Sequence, residues 1–60
     1  MRRFYFTLYT GDAAMDDYIG NIRGARRKAQ AEANRIGEIV YINDCRDESI
    51  VDCIYPDKND

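Results

Sequence analysis

The stretch that most constrains this chain is Glu38–Tyr55, EIVYINDCRDESIVDCIY, two apolar runs separated by a short acidic turn. Successive side chains of a strand point to opposite faces, and two such runs joined by a few polar residues read as a hairpin. With the turn at Arg46-Asp47, Cys45 faces Glu48, Asn43 faces Ile50, Ile42 faces Val51 and Val40 faces Cys53. That register gathers Val40, Ile42, Val51, Cys53 and Tyr55 on one face, and Ile39, Tyr41, Asn43, Ile50, Asp52 and Ile54 on the other. A slip of one residue would mix the two sets, so the pattern supports the register. The first set is a core face. The second is more apolar than a solvated face ordinarily is.

The preceding residues supply the partners of this hairpin. Arg3–Thr10 alternates as a strand, with Phe4, Phe6 and Leu8 on one face and Tyr5, Thr7 and Tyr9 on the other. Thr10-Gly11-Asp12 ends it with turn residues. Asp12–Gly20, DAAMDDYIG, has no clean period and stays open between a loop, a short extended piece and an early helical turn. From Asn21 the pattern changes. Asn21 is a competent N-cap, Ile22, Ala25, Ala29, Ala33 and Ile36 recur at three- and four-residue spacing, and Gly37 supplies a left-handed stop. An alanine stripe lets such a helix lie close on a sheet whose own side chains are large. Gly24 falls inside the first turn, where glycine costs up to ~1 kcal/mol against alanine. Either a neighbour approaches closely there or the helix starts later.

The expected fold is therefore a single α+β domain over residues 1–60, of βαββ order, with strands near 3–10, 38–45 and 49–55 and a helix near 22–36. A right-handed crossover puts the helix on one face of a three-stranded sheet. With IVDCIY in the middle, the strand order is 1-3-2. Pro56 ends the last strand and 56–60 form a solvated tail.

A chain of 60 residues buries a modest share of its surface. At 45% hydrophobic and 33% charged it has the composition of a folded protein. No run reaches the ~20 apolar residues of a membrane span, and the polar breaks in FYFTLYTG come too early for a signal peptide. No membrane partner and a cytoplasmic location are expected. In the hairpin register Cys45 and Cys53 point to opposite faces several rungs apart, so two free thiols are expected.

Several chemistries lack their residues. There is no histidine, one serine without a base, no glycine-rich phosphate loop, and two cysteines at a spacing that is no zinc motif. Asp12 with Asp16 and Asp17, and Asp44 with Asp47 and Glu48, lack calcium-loop spacing and read as solvated turn acids. No enzymatic activity, metal or cofactor is expected.

Two surfaces remain. The formal charge of −2 hides a separation: residues 38–60 hold seven acids against Arg46 and Lys58, and residues 21–36 hold five bases against Glu32 alone. Arg23, Arg26, Arg27 and Lys28 begin the helix, where a phosphate or carboxylate would be favoured, although an arginine-rich outer face is ordinary for a solvated helix. They define the alternative function, an anion- or nucleic-acid-binding module; the overall acidity makes nucleic acid the less favoured partner. The other surface is the sheet face the helix leaves open, with Tyr5, Tyr9, Ile39, Tyr41, Ile50 and Ile54. Contiguous apolar exposure marks interfaces, and tyrosine suits them. The expected function is a non-enzymatic interaction module that uses this face to form a homo-oligomer, a dimer first, or to bind a heterologous protein.

The closing third, with YIND, DESIV and IYPD, is similar to short uncharacterised proteins carried by phages and mobile elements of bacteria. The resemblance implies no activity and no functional residues. What it implies is a binding protein directed at a host protein or at host defence.

Overall fold

The computed structural model describes residues 2–57, and at 15 and 16 the backbone alone. Its elements are β1 (Arg2–Leu8), β2 (Ala13–Gly20), α1 (Ile22–Ile36), β3 (Val40–Asp44) and β4 (Ile50–Ile54). The strands form one antiparallel sheet in the order β2-β1-β3-β4. This is an α+β fold of one helix and one antiparallel sheet, and it corrects the expected βαββ order twice. Asp12–Gly20 supplies a fourth strand, which reverses the chain before the helix. Because β2 runs back along β1, the chain leaving α1 enters β3 antiparallel to β1 and pairs with it directly. The order 1-3-2 expected for the three anticipated strands is thus 1-2-3, with the first hairpin strand inside and the second at the edge.

The helix forms where the sequence places it. The Asn21 side chain accepts a hydrogen bond from the Gly24 amide at 2.9 Å, and Gly37 closes the helix at φ 73° with its amide donating to the Ala33 carbonyl. Ala25, Ala29 and Ala33 are fully buried against Phe4, Phe6, Val40 and Ile42. Leu8, Ala14, Tyr18, Ile22 and Ile54 close the margin of this core. Each buried Phe, Val or Ile side chain contributes roughly 1.5–3 kcal/mol, so Phe4, Phe6, Val40 and Ile42 together are the main support of a domain this small.

Gly24 is explained by its neighbour. A Cβ there would lie 2.6 Å from the ring carbon Cζ of Tyr18 and closer still to its hydroxyl. Tyr18 sits on the helix face of β2, opposite Phe4, so its ring occupies the place an alanine side chain would take. A neighbour does approach closely, and the helix starts where expected.

The register irregularities fall on the outer strands. Between Phe4↔Tyr18 and Phe6↔Met15 the inner strand advances two residues and β2 three; between Phe6↔Met15 and Thr7↔Ala13 they advance one and two. In the hairpin, Ile42 faces Asp52 and Asn43 faces Ile50, so β4 carries an extra residue at Val51. The inner pair β1·β3 runs without interruption from Phe4↔Asp44 to Leu8↔Val40.

The Val51 bulge corrects the hairpin faces. Asn43 faces Ile50 as expected, but Val40 faces Ile54, Tyr41 faces Cys53 and Ile42 faces Asp52. Ile54 therefore packs against the core instead of lying on the open face. Cys53 shares a face with Tyr41, and Val51 and Tyr55, expected inside, are 38% and 65% exposed. The turn is also longer than expected: the Asp44 amide donates to the Ser49 carbonyl, the Glu48 amide donates to the Asp44 carbonyl, and Glu48 takes a left-handed φ of 59°.

The tail does not leave the surface at once. Gln30 donates to the Tyr55 carbonyl at 2.9 Å, and the Asn34 side chain accepts from the Asp57 amide at 2.8 Å. The rest of the expected tail, from Lys58 on, lies outside the described residues, as does the side chain of Asp16 in the acidic group with Asp12 and Asp17.

Candidate functional site

The open face follows from the pairings. Arg3↔Ile19, Tyr5↔Asn43, Thr7↔Tyr41, Tyr41↔Cys53 and Asn43↔Ile50 are cross-strand partners and share the side of the sheet opposite α1. Of the expected set, Tyr5, Tyr41 and Ile50 lie here, with Tyr9 continuing β1. Tyr5 and Tyr41 are half-buried, whereas Tyr9 and Ile50 are 68% and 62% exposed. Ile39, half-buried before β3, accepts a hydrogen bond from the Tyr9 amide through its carbonyl. Ile54 is absent from the face. Ile19, Cys53 and Tyr55 were not anticipated: the strand carrying Ile19 has no clean period, and the bulge exchanges the faces of Cys53 and Tyr55.

The face has a fixed centre. The buried Asn43 side chain donates to the Thr7 hydroxyl at 3.1 Å and to the Tyr5 carbonyl at 3.3 Å, so it ties β3 to β1 at mid-sheet. Tyr9 and Tyr41 stack with centroids 6.4 Å apart and planes at 28°. Loss of water around Tyr41 raises its phenol above the ordinary range, and Cys53, Tyr9 and Tyr55 add to the rise. The four groups form one aromatic and thiol cluster at the α1 C-terminal end of the face.

The basic helix is partly consumed by the fold. Arg26 pairs with Asp52 at 2.6 Å, because the bulge turns Asp52 to the helix side. The Asp52 carboxyl is held below its ordinary range, first by the Cys53 amide and then by Arg26. Arg23, Arg27 and Lys28 are exposed. The Gly24 amide, which an anion would need, already bonds Asn21.

The hairpin acids serve the turn. Asp44 is buried and accepts from the Arg46 amide at 2.8 Å and from Arg2 at 3.0 Å, which together hold its carboxyl low. Arg2 also lies over the Phe4 ring, 4.8 Å from its centroid. Asp47 accepts from the Ser49 hydroxyl and amide and is lowered by both. Among the described residues no three His, Cys, Asp or Glu side chains converge on a point where a metal would sit. Both cysteines are free thiols, and no described helix is long and apolar enough to cross a membrane. Comparison of the chain with models of protein families, with curated proteins and with solved structures finds no match.

Proposed function

We propose that this protein is a non-enzymatic interaction module that works through the sheet face opposite α1, by self-association first and by capture of a heterologous protein second. The observation that carries this reading is the distribution of exposure: Tyr9, Ile19, Ile50 and Tyr55 are each more than half exposed, and the pairings gather Ile19 and Ile50 with Tyr5 and Tyr41 on one side of the sheet. Four strands about 4.8 Å apart and five to eight residues long give a face on the order of 400 Å² in plane. Even counted whole, that is within the size of the largest apolar patch on an ordinary monomer, which is often functional, and is small for an obligate interface, so the association expected is reversible. A two-fold pairing of identical faces is the commonest way for one chain to cover such a surface. A host protein is proposed as the heterologous partner, on the resemblance to phage and mobile-element proteins expected from the sequence of the closing third. The anion- or nucleic-acid-binding alternative loses ground because Arg26 is tied to Asp52.

Sedimentation equilibrium across a wide concentration range tests this reading. The unmodified chain should show a monomer–dimer equilibrium, and Tyr41→Lys with Ile50→Lys should be monomeric with an unchanged far-UV spectrum. A chain that stays monomeric at millimolar concentration, and gains no stability over the double variant as concentration rises, refutes self-association.

A further inference from the structure

We infer that the groove at one end of the open face, between Tyr9 and Tyr55, receives an arginine side chain from a basic segment of a protein partner. The groove has a volume of about 410 Å³ and is lined by Tyr9, Gly37, Glu38, Ile39, Tyr55 and Pro56. Three features of this lining favour a cation. Two are electrostatic: Glu38 is the only acidic side chain among the described residues that line it, and Gly37 is the C-cap of α1, so the negative end of the helix dipole forms part of the wall. The third is aromatic. Tyrosine ring faces attract cations, and Tyr9 is backed by its stack with Tyr41. The basic residue of the last helical turn, Arg35, does not satisfy this end, because it pairs with Glu32 one turn back.

The remaining lining is apolar and anchored. Ile39 and Pro56 offer a surface on which an aliphatic stem can lie, as the stems of long charged side chains do. The Tyr55–Asp57 wall is held to α1 by Gln30 and Asn34, so the groove is formed before a ligand arrives. A flat, weakly hydrated guanidinium stacks on rings better than a compact ammonium, which selects arginine over lysine. The inference rests on the open face being an interaction surface, since Tyr9 and Tyr41 belong to it, and names the chemistry of the partner at this end.

The test is a backbone amide titration of the isotope-labelled full chain with a blocked Gly/Ser peptide carrying two arginines, beside the same peptide with citrulline in their place. Arginine peptide should move the resonances of Tyr9, Gly37, Glu38, Ile39 and Tyr55, and citrulline peptide should bind about threefold to tenfold more weakly. Tyr55→Ala and Glu38→Gln should each weaken arginine-peptide binding by a similar factor, and Glu48→Gln, in the turn outside the groove, should leave it unchanged. Equal binding of the citrulline peptide would make the groove merely apolar and overturn the assignment. So would shifts centred on the acidic turn 44–48, or no shifts at all. Groove resonances that move on concentrating the chain alone, and cease to move in Arg23→Ala with Arg27→Ala, would make a second copy the occupant and also overturn it. Groove shifts with arginine peptide in a chain that stays monomeric would refute self-association and leave this inference standing; a dimer with a silent groove would do the reverse.

Discussion

Replacing Gly24 by alanine separates two opposed effects whose sizes the structure sets. In an exposed helix interior the change adds about 1 kcal/mol through helix propensity. Here the new methyl group would sit 2.6 Å from Tyr18 Cζ, where ordinary contact begins near 3.4 Å. The ring tip must then retreat by roughly 1 Å or more, since its hydroxyl is nearer still. Gly20 restricts the retreat on the strand side, because Tyr18 already fills the space beside it. Overpacking of this kind costs about 1–3 kcal/mol. The expected net effect of Gly24→Ala is a loss of about 1 kcal/mol, or roughly 4–8 °C in Tm for a domain of this size. In a Tyr18→Val background the obstruction is gone and the same substitution should stabilise by about 1 kcal/mol. The double-mutant cycle, read by urea or thermal unfolding, should therefore show a coupling of about 2 kcal/mol. A stabilising Gly24→Ala in the native background, or equal effects in both backgrounds, would refute the account of why glycine stands there.

Other substitutions test other parts of the fold. Ile54→Ala should cost about 1–2 kcal/mol and Ile50→Ala less than about 0.5, because only Ile54 packs on the core; equal costs would return β4 to an unbulged register. Glu48→Asn should stabilise by about 0.5–1 kcal/mol, since asparagine tolerates the φ of 59° better than glutamate; an unchanged urea midpoint would count against the left-handed turn. Four carboxyls, Asp44, Asp47, Asp52 and Glu32, are held below their ordinary values by amide, hydroxyl or arginine partners. A depressed folded pKa contributes stability that is present above the unfolded carboxylate range near about pH 4 and is lost as pH falls through it and below. Acid titration by circular dichroism should show that loss, and Asp44→Asn should be less stable at neutral pH with a shallower acid dependence.

The helix was legible because three local signals agree at its ends and along its face: Asn21 caps it, Gly37 stops it, and the alanines recur at the right spacing. The first strand and the burial of Phe4, Phe6, Val40 and Ile42 were legible for a similar reason, clean alternation. Asp12–Gly20 was not, because two bulges break its period and alanine and aspartate are weak strand formers. IVDCIY has apolar residues on both sides of any register, so nothing in its composition exposes the extra residue at Val51. That single insertion decides the candidate site. It removes Ile54, delivers Cys53 to the open face, and points Asp52 at Arg26. Tyr5, Tyr9, Tyr41 and Ile50 could be grouped from the sequence because they stand on, or pair with, the regular inner strands.

The confinement of bulges to β2 and β4 has a consequence for behaviour in concentrated solution. A sheet ending in straight strands offers each rim as a template, and a second molecule can extend it by backbone pairing without limit. Both rims here are kinked at the points where continued pairing would need an unbroken ladder. Growth by strand addition is therefore frustrated at either end, and the regular pair that would template best, β1·β3, is enclosed between them. The same apolar residues on straight edges would seed fibrils; on these kinked rims they lack the template for it.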